Sequence, residues 1–139
     1  MEVREMSERV IEIGQTASFT KTVTEADVIL FAGISGDLNP AHVDAVAASQ
    51  GMFKNRIAHG ILGPSFISAV IGMQLPGPGT IYLSQDLKFL KPVFINDTVP
   101  ATVTISEIDE RGRCQLETIL TNQDGEKVIV GLAKVIPPK

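Results

Sequence analysis

Tryptophan is absent from this chain, tyrosine occurs once, at Tyr82, and cysteine once, at Cys114. A single cysteine excludes an intramolecular disulfide and any cysteine-rich metal site, and it suits a reducing, cytoplasmic setting. Positive charge is also short: 12 Lys and Arg stand against 16 Asp and Glu, for a formal net charge of -4 and a pI of about 5.1. A nucleic-acid binder normally carries a basic stripe and aromatic platforms, and this chain has neither. Its basic residues, among them Lys54, Arg56, Lys88, Lys91, Arg111 and Arg113, are scattered as on an ordinary solvated surface, though a small anionic ligand could still find local partners. Long apolar runs are missing as well. The least polar stretch, 57–75, is interrupted by His59, Pro64, Ser65, Ser68 and Gln74, so no membrane span is expected. Met1-Glu2-Val3-Arg4-Glu5 carries two acids and leads into no apolar core, so no signal peptide is expected either. With no repeat, linker or low-complexity tract, the 139 residues read as one domain, 1–139, able to bury roughly two thirds of its unfolded surface.

What is present is strong local patterning. Residues 15–23 alternate Thr and Ser with Ala17, Phe19, Lys21 and Val23, the period of a half-buried strand. Thr24-Glu25-Ala26-Asp27 reads as a helix start, with a hydroxyl cap and acids in the first turn, and Gly33 and Gly36 as its end. A short helix is expected over 41–49 and a loop over 51–55. Residues 58–75 form the most apolar segment, with Leu62, Phe66, Ala69 and Met73 at helical spacing and Pro76-Gly77-Pro78-Gly79 as a stop. This is a buried helix of about 16 residues, roughly 24 Å long, and its many small residues allow a sheet or a ligand to approach closely. After Gly79 the pattern is that of about four antiparallel strands, with turns at 110–113 and 122–125 and a last run, 128–136, apolar enough to be covered on both faces. One sheet wrapped around one helix, an α+β packing, is the simplest layer arrangement.

The chemistry is concentrated in Gly36-Asp37-Leu38-Asn39-Pro40-Ala41-His42. A carboxylate and an imidazole five positions apart would face different ways on a continuous helix. Asn-Pro prevents that helix, since Pro40 fixes its own φ and drives Asn39 out of the helical region. Asp37 and His42 can therefore converge on one small molecule such as water. Without further context the same arrangement is also an ordinary turn and helix cap. Cys114, in an expected strand without helpers, reads as an inert core residue, and Met52 and Met73 read as packing.

The run from Phe31 to His42, continued by Ala58-His59-Gly60 and the long helix, resembles the MaoC-like (R)-specific enoyl-CoA hydratases, over nearly the whole chain from Gln15 to Ile136. The resemblance implies a hot-dog fold, a homodimer with its sheets joined edge to edge, an acyl-CoA thioester as substrate, and Asp37 and His42 as the catalytic pair. Hydrating a trans-2-enoyl thioester requires a base for the attacking water, an acid for the α-carbon and donors for the developing enolate oxygen. On this reading Asp37 activates the water and His42 orients it and passes the proton, while Asn39 fixes the turn. The enolate donor is the Gly60 N–H at the expected start of the long helix. His59 competes with His42 as the acid, or else serves as a structural hydrogen-bonding group. The resemblance places Ser68 on the acyl-pocket wall; the alternative is a hydroxyl bonded back to the preceding turn. No metal or redox cofactor is suggested, because His42 and His59 lack a further ligand set. The competing functions are a hot-dog thioesterase, disfavoured by the lack of any carboxylate over 59–75, and a non-catalytic acyl-CoA-binding subunit, disfavoured by the presence of both Asp37 and His42.

Overall fold

The computed structural model describes residues 10–139, so the expectation for Met1 to Glu5 lies outside the described residues. Six strands form one antiparallel sheet: β1 (Thr16–Thr22), β2 (Ile81–Gln85), β3 (Lys88–Phe89), β4 (Thr98–Ile108), β5 (Cys114–Thr121) and β6 (Lys127–Ile136). Their order is β1-β4-β5-β6-β2, with β3 also on β6. Four helices complete the chain: α1 (Glu25–Ser35), α2 (Pro40–Val43), α3 (Ala45–Ser49) and α4 (Leu62–Met73). Helix α4 packs on β1, β4 and β5, which gives the sheet wrapped around a helix that a hot-dog fold requires.

The period-two pattern decides which face of the sheet meets that helix. Val99, Ala101, Val103 and Ile105 of β4 are fully buried, while the threonines between them lie outward, where Thr22 and Thr98 pair hydroxyl to hydroxyl at 2.8 Å across β1 and β4. From α4 the fully buried Ile67 and Val70 enter the same core with Ile71 and Phe66. Burying such side chains contributes roughly 1.5–3 kcal/mol each, the main stabilisation of this layer. Phe66 also meets Phe19 of β1 edge to face, with ring centroids 6.3 Å apart.

Several boundaries differ from the sequence expectations, each for a tertiary reason. Helix α4 begins at Leu62, not at 58, because Ala58 donates its N–H to the Val93 carbonyl at 2.7 Å and Ile57 bridges Phe94. Sheet-like pairing thus claims the residues that helical spacing would have assigned to the first turn. The expected helix over 41–49 is two helices, split at Asp44, whose carboxylate accepts from the N–H groups of Val46 and Ala47. Gly33 lies inside α1, and only Gly36, at φ 82°, ends it. Strand β6 is covered on one face over most of its length: Ile129, Ala133 and Val135 are buried, but the alternate Leu132 and Lys134 are exposed on the outer surface. The strands after Gly79 number five among the described residues, because a break at Asp86 divides one edge into β2 and β3. Gly131 faces that break, and a Cβ there would lie 2.0 Å from the Asp86 carbonyl oxygen.

Candidate active site

Residues 35–44 form the first wall of the site, and almost every polar group in them is used locally. The left-handed Gly36 turns the chain out of α1. Asp37 then donates its N–H to Ser35 Oγ at 3.1 Å, and its Oδ1 accepts from the Asn39 N–H at 3.2 Å. Asn39 Oδ1 accepts from the Ala41 N–H at 3.0 Å, capping α2 ahead of Pro40 at its first position. Asn39 is thus a turn-former here. Three residues later His42 is carried inward to 8 % exposure, while Asp37 remains exposed.

The second wall is the segment from Arg56 to Ile61, held between α2 and the strand edge. Ile57 donates its N–H to the Ala41 carbonyl at 3.1 Å, and its own carbonyl lies 2.8 Å from His42 Nδ1. A carbonyl only accepts, so Nδ1 carries a proton, and in the neutral form of the ring the lone pair is at Nε2. The same logic applies to His59, whose Nε2 lies 2.8 Å from the Asp37 main-chain carbonyl. In the neutral form of this ring Nδ1 is the bare nitrogen; it is buried and has no hydrogen-bond partner. The two imidazoles stack with centroids 4.0 Å apart, and Phe31 of α1 lies 4.9 Å beyond the His59 ring. Behind them Arg56 donates from Nε to the His42 carbonyl at 2.8 Å and from a terminal nitrogen to Glu25, tying the histidine turn to the start of α1.

The fold brings Asp37, His42 and His59 together: one carboxylate oxygen and one ring nitrogen from each histidine lie within 4.8 Å of one another. The third member, His59, bonds the Asp37 main-chain carbonyl and stands beside the pair. This also corrects the expectation that the two histidines lack a further ligand, because Asp37 supplies one.

His42, His59 and Gly60 line a cavity of about 310 Å³ that runs on between α4 and the sheet, past Leu62, Gly63, Phe66, Val99 and Ile129. Its lining is largely apolar, as a site for a hydrocarbon chain would be. Gly60 precedes α4 rather than standing in it, and its N–H donates to no backbone carbonyl among the described residues. Ser68 stands apart. It is exposed and does not line the cavity, while Ser65 makes the bond back to the preceding turn, to the Leu62 carbonyl at 2.5 Å. Cys114, at 1 % exposure, is a core residue whose thiol is pushed up by burial and by the nearby Asp109 charge.

Sequence reasoning did not find Arg56, Ile57 or Phe31 as parts of this site. Two of them act through main-chain contacts or a ring face, which leave no motif behind.

Comparison with known proteins gives a consistent result. The family model described as MaoC like domain matches residues 8–127. An (R)-specific enoyl-CoA hydratase from Rhodospirillum rubrum is 51% identical over 129 residues, 92% of this chain and 89% of the relative. Among solved structures, the unliganded R-hydratase PhaJ1 from Pseudomonas aeruginosa has a TM-score of 0.90 at 43% identity, covering 93% of this chain and 83% of that one. An (R)-hydratase from Aeromonas caviae involved in PHA biosynthesis has a TM-score of 0.91 at 39% identity, covering 94% and 99%.

Proposed function

The chain belongs to the MaoC-like family, and from that membership we propose that it is a single-domain (R)-specific enoyl-CoA hydratase. The reaction adds water reversibly to a trans-2-enoyl-CoA: hydroxyl goes to the β-carbon, a proton to the α-carbon, and the product is the (R)-3-hydroxyacyl-CoA. The observation that carries this reading is the approach of the Asp37 carboxylate to His42 beside an apolar cavity that also exposes Gly60.

The tautomer of His42 sharpens the division of labour. With Nδ1–H held by the Ile57 carbonyl, neutral His42 has no proton to give at Nε2. Asp37 and His42 then both accept from the bound water. As its oxygen bonds to the β-carbon, the water proton passes to this pair, and the pair returns a proton to the α-carbon, so none is gained or lost overall. The thioester oxygen, gaining enolate charge, takes the Gly60 N–H. His59 holds the Asp37 main chain in place through its bond to that carbonyl. The acyl chain occupies the cavity beyond. A homodimer is part of the same proposal: β2 is an edge strand with Ile81, Tyr82 and Leu83 exposed, and pairing two such edges would satisfy both. No helix among the described residues is long and apolar enough to cross a membrane; a cytoplasmic location is proposed from the single reduced cysteine.

The test is loss of the enoyl-thioester absorbance on adding crotonyl-CoA, followed by chiral analysis of the product. An (S) product, or CoA release without hydration, defeats the proposal. Asp37→Asn and His42→Ala are each expected to lower kcat/KM by about 10²–10⁴, the usual worth of a positioned acid or base, with circular dichroism unchanged.

A further inference from the structure

We propose that Asp37, His42 and His59 form a binding site for a divalent transition-metal ion, with zinc as the best-fitting occupant. Three observations carry this. The donor atoms already lie within 4.8 Å of one another. Around tetrahedral zinc, with bonds of about 2.0–2.1 Å, ligand atoms stand about 3.4 Å apart, so the cluster needs to close by up to about 1.4 Å. The exposed Asp37 side chain has the freedom to provide much of that movement.

Second, each imidazole donates one ring N–H to a main-chain carbonyl, His42 to Ile57 and His59 to Asp37, both at 2.8 Å, which leaves the other ring nitrogen of each outside that bond. A bond of this kind to a backbone carbonyl is the outer-shell contact that orients metal-binding histidines and sets their tautomer. Third, the group is rich in acceptors: a carboxylate and two ring lone pairs, with His59 Nδ1 buried and unpartnered on a residue only 3 % exposed. One water offers two hydrogens and leaves one acceptor unmet, whereas a cation satisfies all three. Two imidazoles and one carboxylate suit zinc, not magnesium or calcium, which prefer oxygen. The fourth position is left for water or a substrate atom.

Because the same side chains hold the reacting water in the hydratase reading, zinc there acts as a reversible inhibitor; that consequence rests on the reading, while the binding does not. The experiment is calorimetric titration of chelator-treated protein with zinc chloride, with magnesium chloride as the control. We expect one zinc per chain at micromolar affinity, no saturable magnesium binding, and at least tenfold weaker zinc binding in both Asp37→Asn and His59→Gln. Cobalt(II) in place of zinc should give the visible absorption of a four-coordinate nitrogen and oxygen site, lost in Asp37→Asn. Should His59→Gln not fold, the exposed Asp37→Asn decides the matter. Absence of one-to-one binding, or full-affinity binding in Asp37→Asn, overturns the site. Zinc binding by a protein that hydrates no enoyl-CoA leaves the site standing and defeats the hydratase reading instead; hydration without zinc binding does the reverse.

Discussion

Replacing Gly63 by alanine places one methyl group where the helix, the sheet and the cavity meet. A Cβ there would lie 2.8 Å from Ile129 Cδ1 and 2.9 Å from Leu120 Cδ2, closer than real carbon atoms pack. Both neighbours are buried, at 2 % and 0 % exposure, but they are not equally free to move. Ile129 lines the cavity and can retreat into it; Leu120 does not line it and must shift against the core. Overpacking of this kind costs about 1–3 kcal/mol. Exchanging Gly for Ala within a helix returns up to about 1 kcal/mol. The expected net loss is therefore about 0–3 kcal/mol, measured as a lowered urea midpoint with an unchanged slope. The larger effect falls on substrate choice, since the Ile129 methyl now occupies space needed by an acyl chain. One methylene's worth of room in an apolar pocket is worth about 1–3 kcal/mol, or roughly 10–200-fold in kcat/KM. Crotonyl-CoA, with its short chain, should be little affected, and octenoyl-CoA should lose about tenfold or more relative to it. An unchanged ratio in a folded variant would mean that the acyl chain does not run past Gly63. A variant more stable by the full helical gain would mean that the contacts with Ile129 and Leu120 are not tight.

Two further predictions concern titration. Burial alone would raise the Asp27 carboxyl, but hydrogen bonds from Lys21 and from the Thr24 N–H and hydroxyl, with the Lys21 charge, hold it below its ordinary 3.8. Its folded pKa is depressed, so this stabilisation is present above about pH 4 and is lost as pH falls through the folded value. Asp27→Asn should therefore be less stable than the parent by about 1 kcal/mol at pH 7, the worth of a helix cap, with the gap narrowing in acid; a gap independent of pH in urea melts would contradict this. Tyr82 is 37 % exposed at the sheet edge, yet the partial burial of its hydroxyl pushes that group up to about 12. Its raised folded value favours the neutral form, so the associated stability is complete below pH 10 and fades as pH climbs toward 12. With one tyrosine in the chain, ultraviolet titration reads this group alone, and a folded-state midpoint near 10 would refute the assignment.

The legible parts of this protein were those whose cause is local. The alternation in β4 needs only the pleat of a strand, and the Thr24 and Asp27 box needs only three residues' spacing. Asn39-Pro40 turns the chain whatever surrounds it, so the approach of Asp37 to His42 could be read from seven consecutive letters. The absence of cysteine pairs, aromatic platforms and apolar runs was equally local, since composition alone excludes disulfide scaffolds and membrane helices.

Tertiary structure decided what depends on contacts between distant segments. Helix α4 starts late because Val93 takes the Ala58 N–H, and no spacing within 58–75 encodes a partner near residue 93. Strand β6 is apolar along most of its length, yet one face is exposed, because the core lies on one side of the sheet only. The family resemblance places Ser68 on the pocket wall, but it projects from the exposed face of α4. The protonation pattern of the two histidines follows from the Ile57 and Asp37 carbonyls, 15 and 22 positions away along the chain. A sequence can name a carboxylate and an imidazole and bend the chain between them; which nitrogen keeps its lone pair depends on backbone atoms delivered by the fold.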